Sequence, residues 1–575
     1  MQKLIDSLLS SLSVDISLIT SGRPPKKEHG DIMLNVFALA KSHGIPPNVC
    51  AENIAGLLAQ HSLVASLSTI GGYVNIVLST EGVRVLAEDS LHLVPQTILA
   101  NTHTIIDYIG LNVWKPAHIG HLCTPTLGQS MIEMTRFLGG RVTSDSHFGD
   151  WGGIFGKLIV AFEKYGNREE LEKSPIDHLF HLYVKITADT EANPEIDQEC
   201  RDAFVELSKG NPYHVELWRE FTDYTTQESN RMMDIIGVKC DYHIGESFYQ
   251  WIPAINTTFT SVPPLQYTMQ MIVDELLQKG IATKNEDGSV GVVFDESFKL
   301  PSTIIQKKDG AMLYTTSDIA SIKYRLTNGW NPTAIWYFAD IRQSLHFRQI
   351  FAIAQLAWPE LLEGVDFFHA GNGTVRLKDG AMSTRKGNII RLETLIDDAF
   401  DRVASVLKEK DRILSDEDLH AIAVGAVKYA YLSQDREKDI VFDTEKATAL
   451  EWNSGPYIQY ASVRAQEILR QAGNVSTEYT LTPEMISAYD RELILVLAES
   501  LKAITDAHSR IKPHILATQV YALASTFNAF YSHSGKITTE NDQNLKAWRL
   551  SLVQASYEHL RTLFALLAIP LPQHM

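Results

Sequence analysis

Cysteine is scarce in this chain: four in 575 residues, at Cys50, Cys123, Cys200 and Cys240, with no Cys-x-x-Cys pair. That spacing offers neither a disulfide framework nor a Cys-rich zinc site, and it fits a reducing compartment. Long apolar runs are missing as well, since no uninterrupted stretch approaches the roughly 20 residues that cross a bilayer. The N-terminus reads as an amphipathic helix with Leu4, Leu8, Leu9 and Leu12 on one face and Asp6 inside it. It is not a basic segment leading into an apolar one, so no signal peptide is expected, and a soluble cytoplasmic protein is. Positive charge is also short: 51 lysines and arginines against 69 acids give a net charge of −18. A nonspecific nucleic-acid coat driven by overall charge is thereby excluded. Any nucleic-acid partner has to meet a local basic face, to which Lys307 with Lys308 and Arg385 with Lys386 can contribute.

What is present is ordinary globular material, 45% hydrophobic and 21% charged, of a length that implies three or four domains. Up to about residue 95, helical stretches such as Ile32 to Ser42 and Ala51 to Gln60 mix with an alternating stretch from Tyr73 to Leu78, which predicts a small α+β module. From about residue 96 to 395 short apolar strands run straight into helices, as in Thr104 to Ile109 followed by Leu122 to Leu138. The same grammar returns at Ala334 to Ala339, with a turn at Asp340 to Ser344 and a helix from Leu345 to Leu356. Between them, at about 165–300, lies a polar, Glu-rich insertion. Two such units predict an α/β, split doubly wound sheet. Beyond about Ile390 strand signals fade: a connecting helical segment to about 450 precedes a helical domain over 451–575, with helices at Ala421 to Leu432, Tyr457 to Gln471 and Leu493 to Ser509. In the last helix Trp548, Leu552, Ala555, Leu563 and Leu566 share a face, and Pro570 and Pro572 end it.

Two constellations carry chemistry. Lys115-Pro-Ala-His118-Ile-Gly120-His121 follows a strand and opens a helix. A helix N-terminus presents backbone N–H groups and the positive end of the macrodipole, which suits a triphosphate; Gly120 allows close approach, and two imidazoles can donate to phosphate oxygens. The bare pattern also suits a packed helix start, and a zinc reading is weaker because no further ligand is near. The second constellation, Gly380-Ala-Met382-Ser383-Thr384-Arg385-Lys386-Gly387, is a basic loop bracketed by glycines. It can close on a charged intermediate and neutralise charge developing on the α-phosphate and leaving pyrophosphate; taken alone it is also a solvated turn.

Together these motifs resemble the His-Ile-Gly-His and Lys-Met-Ser-Lys-Ser signatures of class I aminoacyl-tRNA synthetases. The local sequence is more specific. Asn112-Val-Trp-Lys115-Pro-Ala-His118-Ile-Gly-His121, His147-Phe-Gly149-Asp150-Trp151-Gly152, Tyr314-Thr-Thr-Ser-Asp318-Ile-Ala and Met382-Ser-Thr-Arg-Lys-Gly387 resemble the arginyl-tRNA synthetase family. The flanks agree: Gly30-Asp31 and Asn35-Val36 resemble its N-terminal extra domain, and Lys428-Tyr429, Phe442-Asp443, Gly455-Pro-Tyr457-Ile-Gln-Tyr460 and the terminal Met575 resemble its anticodon-binding domain. The resemblance implies a Rossmann-type catalytic domain between an N-terminal α+β domain that contacts tRNA and a C-terminal all-helical anticodon-binding bundle. It implies ATP as substrate with Mg²⁺, and L-arginine and tRNA(Arg) as partners; a monomer is the default expectation, and no resident metal is expected.

Residue by residue, the resemblance puts ATP at His118, Gly120, His121, Met382, Ser383, Arg385 and Lys386, with His118, His121, Lys115 and Lys386 catalytic. Arginine falls to Asp107, Asn112, His147, Tyr314, Asp318 and Gln343. The chemistry is sensible, because a carboxylate such as Asp318 takes a planar, permanently charged guanidinium in bidentate fashion. The plain alternative has Asp318 capping a helix that begins at Ile319, Tyr314 in the core, and the His147 segment as a structural turn. For tRNA the resemblance offers Tyr457, Tyr460, Phe527, Tyr531 and Met575; aromatics stack on unpaired bases, and core packing is the competing role, the favoured one for Phe527 and Tyr460. The first reaction step is expected to require bound tRNA. Thr384 replaces the second lysine of the class motif, Ile109-Gly110-Leu111 replaces the usual Ser-Ser-Pro, and Cys123 stands where an arginine usually follows the leucine. The competing readings are another class I synthetase, of the cysteinyl or glutamyl type, a small nucleotidyltransferase, and a noncatalytic synthetase-like RNA-binding protein. The scattered cysteines, the long helical C-terminal part and the intact motifs speak against them in turn.

Overall fold

The computed structural model describes every residue except 1, 11–13, 111–115, 251, 253–254, 256–261, 378–390 and 474–477. Asn112, Lys115, Met382, Ser383, Thr384, Arg385 and Lys386 therefore lie outside the described residues.

Four strands, β1 (Thr20–Gly22), β2 (Ile32–Asn35), β3 (Val64–Ile70) and β4 (Tyr73–Leu78), form an antiparallel sheet in the order β1-β2-β4-β3. Helices Gln2–Ser10, Phe37–His43, Pro47–Leu58 and Thr80–Ser90 accompany it. The expected helix from Ile32 to Ser42 is half strand. Ile32, Leu34 and Val36 are buried at two-residue spacing, and Ile32 to Asn35 pairs with β4, so the period of a strand outweighs helical propensity there. Gly30, at φ +123°, needs its missing side chain, because a Cβ would meet the Ile76 carbonyl oxygen at 2.7 Å. The next residue, Asp31, accepts from the Leu78 N–H at 2.7 Å and from Arg491 at 2.5 Å, which fastens this sheet to the C-terminal helices.

The central sheet is parallel throughout: β5 (His103–Asp107), β6 (Arg141–Ser146), β7 (Tyr242–His243), and after a further excursion β11 (Ala334–Asp340) and β12 (Asp366–Asn372), ordered β12-β11-β5-β6-β7. Successive side chains serve opposite faces. Ile105, Ile335 and Tyr337 join one core, while Ile106, Trp336 and Phe338 join another that continues into the Gly120–Phe137 helix and the C-terminal bundle. Chain order reverses between β5 and β11, which makes the carboxyl ends of those strands the place where a doubly wound sheet opens a crevice.

The insertion differs from the single excursion expected. Helices Gly153–Tyr165, Arg168–Lys173, Pro175–Ala192, Pro194–Ser208 and Pro212–Ile235 build their own core, the chain then returns to the sheet at β7, and only afterwards come β8 (Ala282–Lys284), β9 (Val290–Val292) and β10 (Thr303–Gln306) as a small antiparallel sheet. A two-residue strand carries too little periodicity to be seen in sequence.

Helices Leu392–Lys408, Asp416–Leu432, Gly455–Ala472, Ala488–Ala498, Ser500–Ser509, Pro513–His533 and Gln543–Leu566 complete the chain. The expected helix from Leu493 to Ser509 is two helices that break at Glu499. Strand signals do not vanish entirely, because β13 (Val375–Leu377) pairs in parallel with β14 (Ile440–Phe442). The predicted face of the last helix is buried. Its end is tied into the catalytic part: Ser130 Oγ donates to the Leu566 carbonyl at 2.8 Å, Gln459 to that of Pro570 at 2.8 Å, and Lys428 to those of Ile236, at 2.6 Å, and Ala568. Burial pushes the Lys428 ammonium down to about 7. Among the described residues no helix is long and apolar enough to cross a membrane.

Candidate active site

The Gly120–Phe137 helix starts at the histidine motif, and the two imidazoles there stack with centroids 3.8 Å apart. Backbone groups orient both rings: the His118 N–H donates to His121 Nδ1 at 3.2 Å and the Gly120 N–H to His118 Nδ1 at 3.1 Å. A nitrogen that accepts cannot also carry the proton, so each neutral ring holds its hydrogen on Nε2, the tautomer that donates to a phosphate oxygen. Gly120 has a reason beyond nucleotide approach. A Cβ there would meet His118 Cε1 at 2.9 Å, so the glycine makes room for the motif's own first histidine.

The second motif lies outside the described residues; the described chain that follows it meets the first motif. His118 forms an antiparallel bridge with Arg391, and the Leu392 N–H donates to the Ala117 carbonyl at 2.9 Å. Segments more than two hundred residues apart in sequence thus meet at the mouth of one helix. Cys123, one turn inside that helix, is buried against Tyr431, and burial pushes its thiol up to about 12; it packs the helix against the Asp416–Leu432 helix.

At the strand ends opens a pocket of about 220 Å³. Asp107, His147, Tyr314, Asp318 and Gln343, five of the six residues expected to bind arginine, line it together with Gly110, Gly149, Glu246, Tyr337 and Phe347. The sixth, Asn112, is not described. The helix that carries Asp318 begins at Tyr314, so Asp318 sits in its second turn and caps nothing, and Tyr314 is 58% exposed instead of core. One helical turn separates them, which puts the phenol and the carboxylate on one face.

Asp318 is the electrostatic centre. His147 Nε2 stands 3.2 Å from Oδ1 and His346 Nε2 2.5 Å from Oδ2. Burial alone would raise the Asp318 carboxyl, but the two imidazoles outweigh it and hold the group well below the ordinary carboxylate range. For His147 burial favours the neutral ring; Asp318 above all, then Asp107 and Glu246, reverse this and raise it to about 9. Glu246, mostly buried, is pushed up to about 7 despite the pull of His147. Asp150, fully buried and hydrogen-bonded by the Ser247 N–H and hydroxyl, rises to about 6. It is the structural turn of that segment, with its carbonyl accepting from Trp218 Nε1 at 2.7 Å.

Behind the pocket Arg325, wholly buried, reaches Asp145 at 2.6 Å and Asp107 at 2.7 Å. Asp107, Asp145 and Tyr337 lie in register across β5, β6 and β11, and the guanidinium passes over the Tyr337 ring at 5.2 Å. One oxygen of Asp107 is therefore already engaged, a constraint invisible in sequence. His346, Glu246, Tyr337 and Arg325 were all missed. His346 had a signal, one helical turn past Gln343 in Gln343-Ser-Leu-His346; the other three are brought in by tertiary contact alone.

In the C-terminal helices, Tyr460, Tyr531 and Met575 gather around two arginines. Arg464 lies over Tyr460 at 4.5 Å and Tyr531 at 5.3 Å, while Arg412 lies over Tyr460 at 5.6 Å and donates to the Met575 carbonyl at 2.6 Å. Asp418 fixes the tail by accepting from the Gln573 N–H at 2.6 Å. Tyr457 is half-buried, with its hydroxyl 3.4 Å from Ser525. Phe527 is wholly buried among the bundle helices, so its expected contact with tRNA is corrected to core packing.

Comparison with known proteins agrees along the whole chain. Family models match as arginyl-tRNA synthetase N-terminal domain over residues 1–78, class I (R) tRNA synthetase catalytic domain over 84–444, and DALR anticodon-binding domain over 458–575. An arginine–tRNA ligase of Clostridium botulinum is 34% identical over 560 residues, 96% of this chain and 95% of the relative. One of Chloroflexus aurantiacus is 33% identical over 587 residues, 99% and 98% of the two chains. In fold, the arginyl-tRNA synthetase of Thermus thermophilus superposes with a TM-score of 0.79 over 100% of this chain and 99% of that one, at 24% identity. With the histidine motif at the switch point of a parallel sheet and an acidic pocket at its strand ends, the chain belongs to the arginyl-tRNA synthetase family of class I aminoacyl-tRNA synthetases.

Proposed function

We propose that this chain is an arginine–tRNA ligase that activates L-arginine with ATP to arginyl adenylate and diphosphate, then transfers the arginyl group to the terminal adenosine of tRNA(Arg), releasing AMP. The observation that carries the reading is Asp318, a carboxylate set between the His147 and His346 imidazoles, one helical turn from Tyr314, in an acidic pocket at the strand ends. A guanidinium is the one amino-acid side chain that matches it in charge, planarity and donors. Asp107, His147, Glu246 and Gln343 complete the wall, and Asn112 takes the ammonium end.

The arginine carboxylate attacks the α-phosphorus in line; no protein nucleophile is needed, and positioning and electrostatics supply the rate. His118 and His121 donate to the phosphates from Nε2, Gly120 lets the His118 ring sit over the helix end, and Lys115, Met382, Ser383, Arg385 and Lys386 complete the nucleotide site. Among the described residues no group of three or more His, Cys, Asp or Glu could hold a metal ion. Mg²⁺ would come with the nucleotide and would supply charge neutralisation at its phosphates. In the second step the 2′-hydroxyl of the terminal adenosine attacks the adenylate. Tyr457, Tyr460, Tyr531 and Met575 meet the anticodon on the helical domain over 451–575, and the domain over 1–95 meets the body of the tRNA. The enzyme acts as a cytoplasmic monomer.

Charging of total tRNA with each of the twenty radiolabelled amino acids, with ATP and Mg²⁺, tests the reading. Arginine alone is expected to be charged, and the activity is expected to be lost in His118→Ala. Charging with a different amino acid, or none by a folded sample that binds tRNA, overturns it.

A further inference from the structure

Asp318 has two oxygens, and both are engaged by imidazoles, His147 at 3.2 Å and His346 at 2.5 Å. A guanidinium that binds Asp318 has to take at least one of these oxygens from its imidazole. The two arrangements compete, and His147 is the partner with fewer ties: its side chain is only 10% exposed and neither ring nitrogen has a well-aligned hydrogen bond. We propose that L-arginine enters this pocket by proton exchange: its guanidinium takes the Asp318 oxygen faced by the His147 imidazolium, and His147 gives its proton to solvent. The inference rests on the arginine reading above.

The groups around His147 explain why the proton is there and why it leaves. Asp318, Asp107 and Glu246 face the ring, Asp145 and Asp150 lie on its own segment, and the Tyr249 ring stands 5.7 Å away. Arg325 answers Asp107 and Asp145 but reaches none of the others in a salt bridge. The His147 imidazolium therefore sits among more carboxylates than Arg325 and His346 answer, consistent with its rise to about 9. When a guanidinium arrives at Asp318, two like charges share one buried carboxylate. Arginine does not deprotonate in proteins and imidazole does, so the imidazole yields. The bonds are unchanged apart from one N–H on His147, whose proton passes to buffer. His346, its ring tilted against that of Tyr314 at 4.7 Å, keeps the carboxylate oriented and acts as a positioning residue. His147 thereby becomes a specificity determinant: an uncharged isostere such as citrulline has the shape but not the charge that expels the proton.

Isothermal titration calorimetry on the full chain at pH 7.5, in phosphate and in Tris, reads the protons exchanged from the difference in buffer ionisation heat. Arginine is expected to release close to one proton and citrulline none. His147→Asn is expected to bind arginine without release. In the unaltered chain the arginine Kd is expected to tighten by about tenfold per pH unit between 6.5 and 8. Arginine binding without proton release overturns the inference and leaves the arginine reading standing. Release that persists in His147→Asn also overturns it, and assigns the proton to Glu246. A chain that binds another amino acid and not arginine overturns the reading itself. The citrulline arm uses the unaltered chain, so the inference stays testable even if His147→Asn fails to fold.

Discussion

At the mouth of the Gly120–Phe137 helix, two imidazoles are aligned by backbone N–H groups two and three residues away. Around Asp318 the polar groups come instead from the ends of β5 and β11, the segment after β6, the turn at Glu246, and two separate helices. The first region is local, and its geometry follows once a helix begins there. The second exists only when distant segments pack, and its groups are shifted from their ordinary ionisation because they are buried together. Phosphate handling, which every class I synthetase shares, needs donors and a dipole. Recognition of one side chain needs a charge placed where water cannot compete with it.

That contrast can be broken at either end. Asp318→Asn leaves the pocket's shape and removes its anion, and kcat/KM for arginine is expected to fall by at least about 10³-fold, in line with a buried polar partner left unpaired. A loss of only a few fold in steady-state charging would mean that the guanidinium is read elsewhere. His118→Ala is expected to lower kcat by about 10² to 10³, as for the loss of one donor to a developing negative charge, with arginine affinity by calorimetry unchanged. A weakened arginine affinity would merge the two regions into one. Gly120→Ala pushes a methyl group against the His118 ring and is expected to cost about tenfold in adenylate formation, seen in pyrophosphate exchange with tRNA present. The same rate as the parent would show that the ring moves freely.

The smallest effect is on stability. His147 is raised from 6.5 to about 9 in the folded chain, so its contribution is complete below about pH 6.5 and is lost as pH rises through 9. Between pH 7 and 9.5 the Tm of the ligand-free protein is expected to drop by about 2–3 °C more than that of His147→Asn. Equal slopes in scanning calorimetry would remove the His147–Asp318 ion pair from the account. Asp150 titrates below this window, and Glu246, at its lower edge, is present in both proteins.

Much of the site was legible because its chemistry is written in short words. His118, Gly120 and His121 declare themselves by their place between a strand and a helix, and Tyr314 with Asp318 by one-turn spacing. The single helix expected from Leu493 to Ser509 and the helix expected from Ile32 failed where periodicity is ambiguous over a few residues. Phe527 was open to two roles because an aromatic on a helix looks the same in sequence whether it faces solvent or core, and its burial favours the core. Lys428 and Gln459 read as family markers; only the packed chain shows that they tie the end of the last helix to the rest of the molecule.

The sequence by itself determined the reaction class, the alternation of strands and helices, and which residues could carry charge or donate protons, because those depend on neighbours within a turn or two. Tertiary structure alone decided which carboxylates remain available. Asp107 and Asp145 are spent on Arg325, Asp318 is held between two histidines, and Glu246 is brought in from a segment with no motif. The reason is physical: the free energy of a buried charge is set by everything within a few ångströms of it, and in this protein most of that lies a hundred or more residues away along the chain.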